Sequence, residues 1–227
     1  PTMNFQPIPQ EDFQRNWKTR FFTIFGGQAL SLFGSSLVQF ALVWYLTQQT
    51  GSATILATAT LVAMLPQVLL GPFVGALIDR WNRRIVMVVA DGAIALATLA
   101  LAGLFLFDLV EVWHIYAILL IRSVGGAFHW PAMSASTSLM VPQEHLARVA
   151  GLQQTLHGLV SIVAPPTGAV LISLLPTQGV LMIDVLTALM AILPLLFIAI
   201  PQPSREQNEK GEHQTSYWQD VRDGFAY

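Results

Sequence analysis

Three charged residues stand alone in long apolar stretches of the sequence, and they are the first candidates for chemistry. Arg122, Asp184 and Asp91 are each the single charged residue in an apolar run of at least 22 residues. A charge at the centre of a membrane costs about 2.5–3.5 kcal/mol on insertion scales, so such residues are normally paired and functional. A guanidinium keeps a nearby carboxylate ionised until the two groups separate, so this set of residues indicates proton uptake and release.

The depth of each charge in its helix predicts which of them pair. At a rise of about 1.5 Å per residue, Arg122 lies about 27 Å and Asp184 about 24 Å from the membrane border that their helices share. We therefore predict that these two residues meet and take part in proton coupling. Asp91 lies only about 9 Å from the same border, where we expect it to contact the loop at residues 79–84. It is the third proton-coupling candidate, with a structural role as the alternative.

Polar and small side chains recur at helical spacing on three of the apolar segments. The first stripe is Gln28, Ser31, Ser35 and Gln39; the second is Arg122, Gly126, His129, Met133 and Ser136; the third is Gln154, His157, Ser161, Pro165 and Gly168. Stripes of this kind either hold helices together or line a wet cleft. We predict a substrate cavity lined by Gln28, Ser31, Ser35, Gln39, Gly126, His129, Trp130, Gln154, His157 and Ser161. The two histidines lack clustered carboxylate partners and make a poor metal site.

The elements that position these residues follow from composition. Of the 227 residues, 54% are hydrophobic and only 11% are charged, against about a quarter charged in soluble domains. Six stretches are long enough to span a membrane as helices: 21–46, 52–78, 85–107, 112–141, 149–175 and 179–200. The fold class predicted is an all-α membrane protein with six transmembrane helices, the first retained as a signal anchor.

The placement of Lys and Arg predicts the orientation of the six helices. Ten of the 11 basic residues lie before the first helix, after the sixth, or in the second and fourth connections. The other three connections contain none, so the positive-inside rule places both termini in the cytoplasm. The predicted domains are a cytoplasmic N-terminus at 1–20, the bundle at 21–200, and a linker at 201–227. Tyr217, Val221 and Phe225 in that linker predict an amphipathic helix on the inner membrane surface.

The stretch "GALIDRWNRR" at residues 75–84 concentrates charge between the second and third helices. Its arginines can be explained as a positive-inside anchor. That explanation does not account for Asp79 or for the nearby Gly71 and Gly75. An acid beside arginines at an exposed helix end predicts a conformational latch that docks on a neighbouring helix terminus. The latch residues are Gly71, Gly75, Asp79, Arg80, Arg83 and Arg84.

Three motifs resemble those of the major facilitator superfamily. The latch residues resemble the signature loop between its helices two and three, with Asn82 where a glycine is usual; Asn also tolerates left-handed backbone. Arg122 with Gly126 is similar to its fourth-helix motif. The exporter motif of its fifth helix is matched in part, by Gly151, Pro165 and Gly168, whereas Val160, Ala164 and Ala169 replace usual glycines. "NWKTRF", "LIRSVGGAFHWPA" and "DVLTALMA" look most like macrolide-efflux proteins.

This resemblance implies a bundle of two inverted three-helix repeats, in which helices one and four line a central cavity and three and six face outward. Family members have twelve helices, so the chain is expected to be the N-terminal half of a drug:proton antiporter in the cell membrane. The partners implied are a small hydrophobic substrate such as a macrolide, protons, the lipid bilayer, and a second six-helix half or a second copy.

Other functions stay open or are disfavoured by the sequence. The alternatives are a lipid or siderophore exporter of the same superfamily, and a non-transporting half that associates with another membrane protein. The net charge of −2 gives no basic surface for nucleic acid. No paired-carboxylate metal motif, phosphate loop or nucleophile elbow occurs, so we expect neither an enzyme nor a cofactor.

Overall fold

The computed structural model describes residues 16–198 and 200, apart from the side chain of Ala76. This part of the chain forms six α-helices and no β-strand, joined by turns of two to five residues. The helices are α1 (Trp17–Thr50), α2 (Ala53–Arg80), α3 (Arg83–Leu106), α4 (Val112–Met140), α5 (Gln143–Leu174) and α6 (Thr177–Phe197). Such short turns make successive helices antiparallel. Residues 1–15 of the N-terminus predicted at 1–20, and the linker with its amphipathic helix at 201–227, lie outside the described residues.

The helices extend beyond the charge-free runs that the sequence shows. Helix α5 begins at Gln143, six residues before the run that predicts it, and includes Glu144 and Arg148 in its first turns. Only Trp81 and Asn82 separate α2 from α3, so Arg80, Arg83 and Arg84 belong to helix ends rather than to a loop. Charged side chains are compatible with the last turns of a membrane helix because they reach the interface there.

Side chains at two of the turns define where helices begin. The Ser52 hydroxyl accepts a hydrogen bond from the Ile55 amide, and the Asn82 side chain accepts from the amides of Arg84 and Ile85. Asn82 has φ −69°, so it does not use the left-handed conformation that the sequence comparison proposes for it. Its role is to cap α3, which a glycine in this position cannot do through a side chain.

Five of the six described helices are long and apolar enough to cross a membrane: α1, α2, α3, α5 and α6. Helix α4 has 29 residues, which is also a sufficient length. It contains Arg122, His129 and several serines; Arg122, Ser123 and His129 line a cavity between helices, whereas Ser134 and Ser138 are exposed. The chain is therefore a multi-pass membrane protein.

The packing of the helices has an internal two-fold pattern. Helix α6 packs against α1 and α3, α4 packs against α3 and α2, and α1 also packs against α5. Exchanging α1 with α4, α2 with α5 and α3 with α6 converts this set of contacts into itself. Since α1 and α4 run in opposite directions, the pattern is that of two inverted three-helix repeats.

Close approach of α1 to α6 depends on glycine. A Cβ added to Gly27 would lie 2.9 Å from the Met190 carbonyl oxygen, and one added to Gly34 would overlap the Thr187 hydroxyl. Helices α2 and α5 are by contrast the least buried, with 6% and 17% of their most apolar stretches buried against 39–44% for α1, α3 and α6. The exposed faces of the bundle are therefore concentrated on α2 and α5.

Candidate substrate cavity and buried ion pair

A cavity of about 590 Å³ opens between α1, α2, α4 and α5, with α3 contributing at one side. Nine of the ten residues that the polar stripes predict line it: Gln28, Ser31, Ser35, Gln39, Gly126, His129, Trp130, Gln154 and His157. The tenth, Ser161, is exposed and its hydroxyl donates to the His157 carbonyl. Met133 is also in the lining, and Ser136 is buried with its hydroxyl bonded within α4. The first stripe lines this space completely, the second except for Ser136, and the third only through Gln154 and His157.

The walls of the cavity combine amides and hydroxyls with aromatic rings. Gln67 of α2 and Gln153 of α5 line it without having been predicted. Gln67 is the only amide side chain in the apolar run at 52–78, which is the signal that identifies it. Trp130 meets His157 edge to face at 4.3 Å between ring centroids. Such a surface suits a ligand that is mostly apolar and carries a few hydrogen-bonding groups.

Arg122 and Asp184 form a buried ion pair between α4 and α6. The Arg122 Nη1 lies 2.6 Å from Asp184 Oδ2, and the two side chains are 9% and 1% exposed. The pairing was predicted from their common depth. The apolar character of α6 is compatible with this position because Asp184 lies on the side that packs against α1 and α3, while Leu186 and Leu193 are exposed.

Ser35 and Thr98 complete the hydrogen bonding of this pair, and we call the four residues the Asp184 cluster. Ser35 donates its hydroxyl to Asp184 Oδ1 at 2.9 Å and accepts from Arg122 Nη2 at its carbonyl at 3.1 Å. Thr98 accepts from Arg122 Nη1 at 2.9 Å and donates to Asp184 Oδ2 at 3.3 Å. The ionised form of the carboxylate is therefore stabilised from three helices, which offsets its desolvation.

Asp91 belongs to a second polar group, the Asp91 cluster, with Gln28 of α1 and His129 of α4. Gln28 Nε2 donates to Asp91 Oδ2 at 3.1 Å. His129 Nε2 lies 3.3 Å from Asp91 Oδ1 but lacks the alignment of a hydrogen bond. The expected contact between Asp91 and the loop at 79–84 is replaced by these partners, because Asp91 faces the cavity rather than the end of the bundle.

The latch residues connect α2 and α3 to the ends of other helices. Arg83 is buried, donates to the Ala135 carbonyl of α4 at 3.0 Å, and lies 3.4 Å from Asp79 Oδ1. Arg84 donates to the Leu196 carbonyl of α6. The Asp79 side chain itself is 74% exposed. Gly71 and Gly75 face open space, with nothing within 4 Å of an added Cβ.

The partial fifth-helix motif is divided between two environments. Gly168 is buried against α1, where an added Cβ would lie 2.8 Å from Phe40 Cδ1. Gly151 and Pro165 are exposed on α5. Only Gly168 therefore has a packing role within the described bundle.

Comparison with known proteins decides the family. Residues 24–225 match the Major Facilitator Superfamily. The chain belongs to this superfamily. The relatives that it matches are transporters rather than enzymes.

The relatives within the superfamily include efflux proteins. The chain is 41% identical to Macrolide efflux protein A of Streptococcus pyogenes over 187 residues, covering 82% of this chain and 46% of that protein. It is 39% identical to Macrolide efflux protein A of Enterococcus faecalis over 152 residues, covering 67% and 47%. An uncharacterized MFS-type transporter of Bacillus subtilis is 26% identical over 194 residues, covering 86% and 44%. The chain thus spans about half the length of the relatives it matches.

Proposed function

We propose that the chain is the N-terminal half of a secondary active transporter that exports hydrophobic, macrolide-like drugs in exchange for protons. The observation that carries this proposal is the cavity of about 590 Å³, with the polar stripes of α1, α4 and α5 on its walls. A site of this size and mixed character accepts a large, mainly apolar molecule. The similarity to two macrolide efflux proteins supports the choice of substrate.

Proton coupling is proposed to act through the Asp184 cluster, with Asp91 as a second carboxylate. Ser35 lies in the cavity wall and also bonds to both Arg122 and Asp184. A substrate or helix movement that displaces Ser35 therefore loosens the ion pair. A carboxylate that loses its arginine and remains desolvated takes up a proton more readily. This sequence of events connects occupancy of the cavity to protonation of Asp184.

A second six-helix half is proposed to cover the exposed faces of α2 and α5, and to close the cavity from the other side. The two halves would rock about the cavity, which is then reached alternately from each side of the membrane. Asp79 is exposed beside Arg83, and in this scheme it docks on a helix end of the second half when the cytoplasmic side closes. Both termini are cytoplasmic in this arrangement, as the distribution of Lys and Arg predicts.

Accumulation of a labelled macrolide tests the proposal. Cells lacking other macrolide exporters should retain less drug when they produce the protein from its full coding sequence, and a protonophore should abolish the difference. The double variant Arg122→Met, Asp184→Leu replaces the ion pair by apolar side chains and should lose proton-driven export. Equal retention with and without the wild-type protein contradicts drug export, and full export by the double variant contradicts coupling through this pair.

A further inference from the structure

The Asp91 and Asp184 clusters are equivalent under the internal two-fold pattern of the bundle. On α1, Gln28 and Ser35 are seven residues apart, as are Arg122 and His129 on α4. Gln28 and His129 contact Asp91 of α3, whereas Arg122 and Ser35 contact Asp184 of α6. Exchange of α1 with α4 and α3 with α6 therefore places Gln28 where Arg122 stands. Each repeat holds one of these two buried carboxylates, and the residues that contact them are seven positions, or about 10 Å, apart along α1 and α4.

The two carboxylates differ in how their charge is balanced. Asp184 has the Arg122 guanidinium at 2.6 Å. Asp91 has the neutral amide of Gln28 in the equivalent position, and within the described part of the chain it forms no ion pair with lysine or arginine. A desolvated carboxylate without a cation is energetically costly, and such groups normally pair with a charge of opposite sign. Asp184 is thus balanced by an arginine, whereas the described partners of Asp91 are the Gln28 amide and the His129 imidazole.

The surroundings of Asp91 are suited to a ligand rather than to a side chain. Asp91 lies in the cavity wall together with Phe25, Trp130 and Met133. A carboxylate has about four acceptor positions, and Gln28 uses one of them. Aromatic rings and a thioether in the same cavity as a carboxylate can bind an organic cation, since the rings attract its charge and the apolar walls cover its substituents.

We propose that Asp91 binds the cationic centre of a hydrophobic, singly charged substrate, with Gln28 and His129 positioning the carboxylate. The proposal rests on the export function above and narrows its substrate class to organic cations. Gln28 is the residue that keeps the site open, because an arginine there would neutralise Asp91 as Arg122 neutralises Asp184.

Binding of two probes of similar shape and different charge tests this assignment. The detergent-solubilised protein, produced from its full coding sequence, is measured by equilibrium dialysis with radiolabelled tetraphenylphosphonium, a monocation, and triphenylphosphine oxide, which is neutral. Asp91→Asn and Gln28→Arg should each weaken tetraphenylphosphonium binding at least about tenfold and leave the neutral probe unchanged, because both remove the unbalanced negative charge. Asp108→Asn is the matched control: Asp108 lies in the α3–α4 turn with φ 56°, a conformation that Asn also tolerates.

Each outcome of the binding measurements either supports or overturns the assignment of Asp91 as a cation-binding residue. Selective loss of the cation in both variants, with the control unchanged, supports the assignment. Wild-type affinity for tetraphenylphosphonium in Asp91→Asn overturns it, as does an equal loss of both probes, which would make Asp91 a structural residue. Wild-type affinity in Gln28→Arg would mean that His129 already neutralises Asp91, and also overturns it. If the wild-type protein binds neither probe, this inference fails, whereas the export function is decided separately by the accumulation of a labelled macrolide.

Discussion

Arg122 shows how a single charge can occupy a deep position in an apolar helix. Its guanidinium contacts a carboxylate, a hydroxyl and a carbonyl on three other helices. Each of these groups would itself be poorly solvated in a membrane, so the contacts satisfy four buried groups at once. The residues of the Asp184 cluster are therefore interdependent, and removing one charge has a larger effect than removing both.

A double-mutant cycle on Arg122 and Asp184 measures this interdependence. Arg122→Met or Asp184→Leu alone should lower the apparent free energy of unfolding by about 3–5 kcal/mol, because each leaves an unpaired buried charge. The double variant should lose less than either single one. Denaturation of the detergent-solubilised protein, followed by tryptophan fluorescence, gives the three values.

Glu144→Gln is the control for the loss of a carboxylate. The Glu144 side chain is 77% exposed, and its replacement should change the free energy of unfolding by no more than about 0.5 kcal/mol. Losses in the two single variants that add up to the loss in the double variant would show that the ion pair does not stabilise the bundle.

The sequence predicted the pairing of Arg122 with Asp184 but not the partners of Asp91. The prediction of this pair needed only the depth of each residue in the membrane, which follows from the constant rise per residue of a helix. The partners of Asp91 depend on the rotation of α3 about its axis, which decides whether the carboxylate faces the cavity or the end of the bundle. Rotation is set by packing against α4 and α6, and a single apolar helix with one charge does not reveal it.

At the scale of elements, the helices were predictable and their neighbours were not. Periodic polar stripes identified α1, α4 and α5 as walls of a cavity, since a 3.6-residue repeat places such residues on one face. The central position of α6 between α1 and α3 was not indicated by its apolar sequence. It results from close packing at Gly27 and Gly34 on α1, where the backbone of another helix fits only because no side chain intervenes.

Adjacent glycines on α1 provide a test of this packing. Gly27→Ala should destabilise the bundle by about 1–3 kcal/mol, because the new methyl group meets the α6 backbone and the helices must separate. Gly26→Ala should be neutral or stabilising by up to about 1 kcal/mol, since nothing lies within 4 Å of its added Cβ and Ala favours helix. Thermal unfolding of both variants gives the comparison, and equal melting temperatures would contradict a tight α1–α6 contact at Gly27.

At the scale of the whole molecule, the bundle leaves particular surfaces and groups exposed. The least buried helices are α2 and α5, and the exposed acid of the latch residues lies where α2 ends. In the proposed transporter these features meet the second half. They should therefore affect transport more than they affect the stability of this bundle.

Asp79→Ala separates these two effects. Macrolide export should fall at least about fivefold, as expected if one contact worth about 1 kcal/mol is lost from the closed state. The apparent free energy of unfolding should change by less than about 1 kcal/mol, because the ion pair with Arg83 is exposed on the Asp79 side. Export is measured as retained drug in producing cells, with Glu144→Ala as the control for an exposed acid. Wild-type export by Asp79→Ala would show that Asp79 does not take part in closing the cytoplasmic side of the transporter.

Labelling of single cysteines tests the proposed orientation, and the sequence simplifies it because the chain has no cysteine. A membrane-impermeant maleimide should react in intact cells with Leu109→Cys, in the exposed α3–α4 turn, and not with Arg80→Cys. Both variants should react after permeabilisation. The reverse pattern in intact cells would show that the orientation is opposite to the one proposed. It would not contradict the packing of the helices in the bundle.

The sequence by itself determined the class of the protein, the six helices of the described residues and most of the polar lining of the cavity, because these follow from local composition and helical period. Its motifs also indicated the family. Only the tertiary structure decided which helices pack together, that Asp91 forms no ion pair with lysine or arginine among the described residues, and that Gln67 lines the cavity. Those properties depend on the rotation and contact of helices distant in the chain, and close packing of the whole bundle determines them jointly.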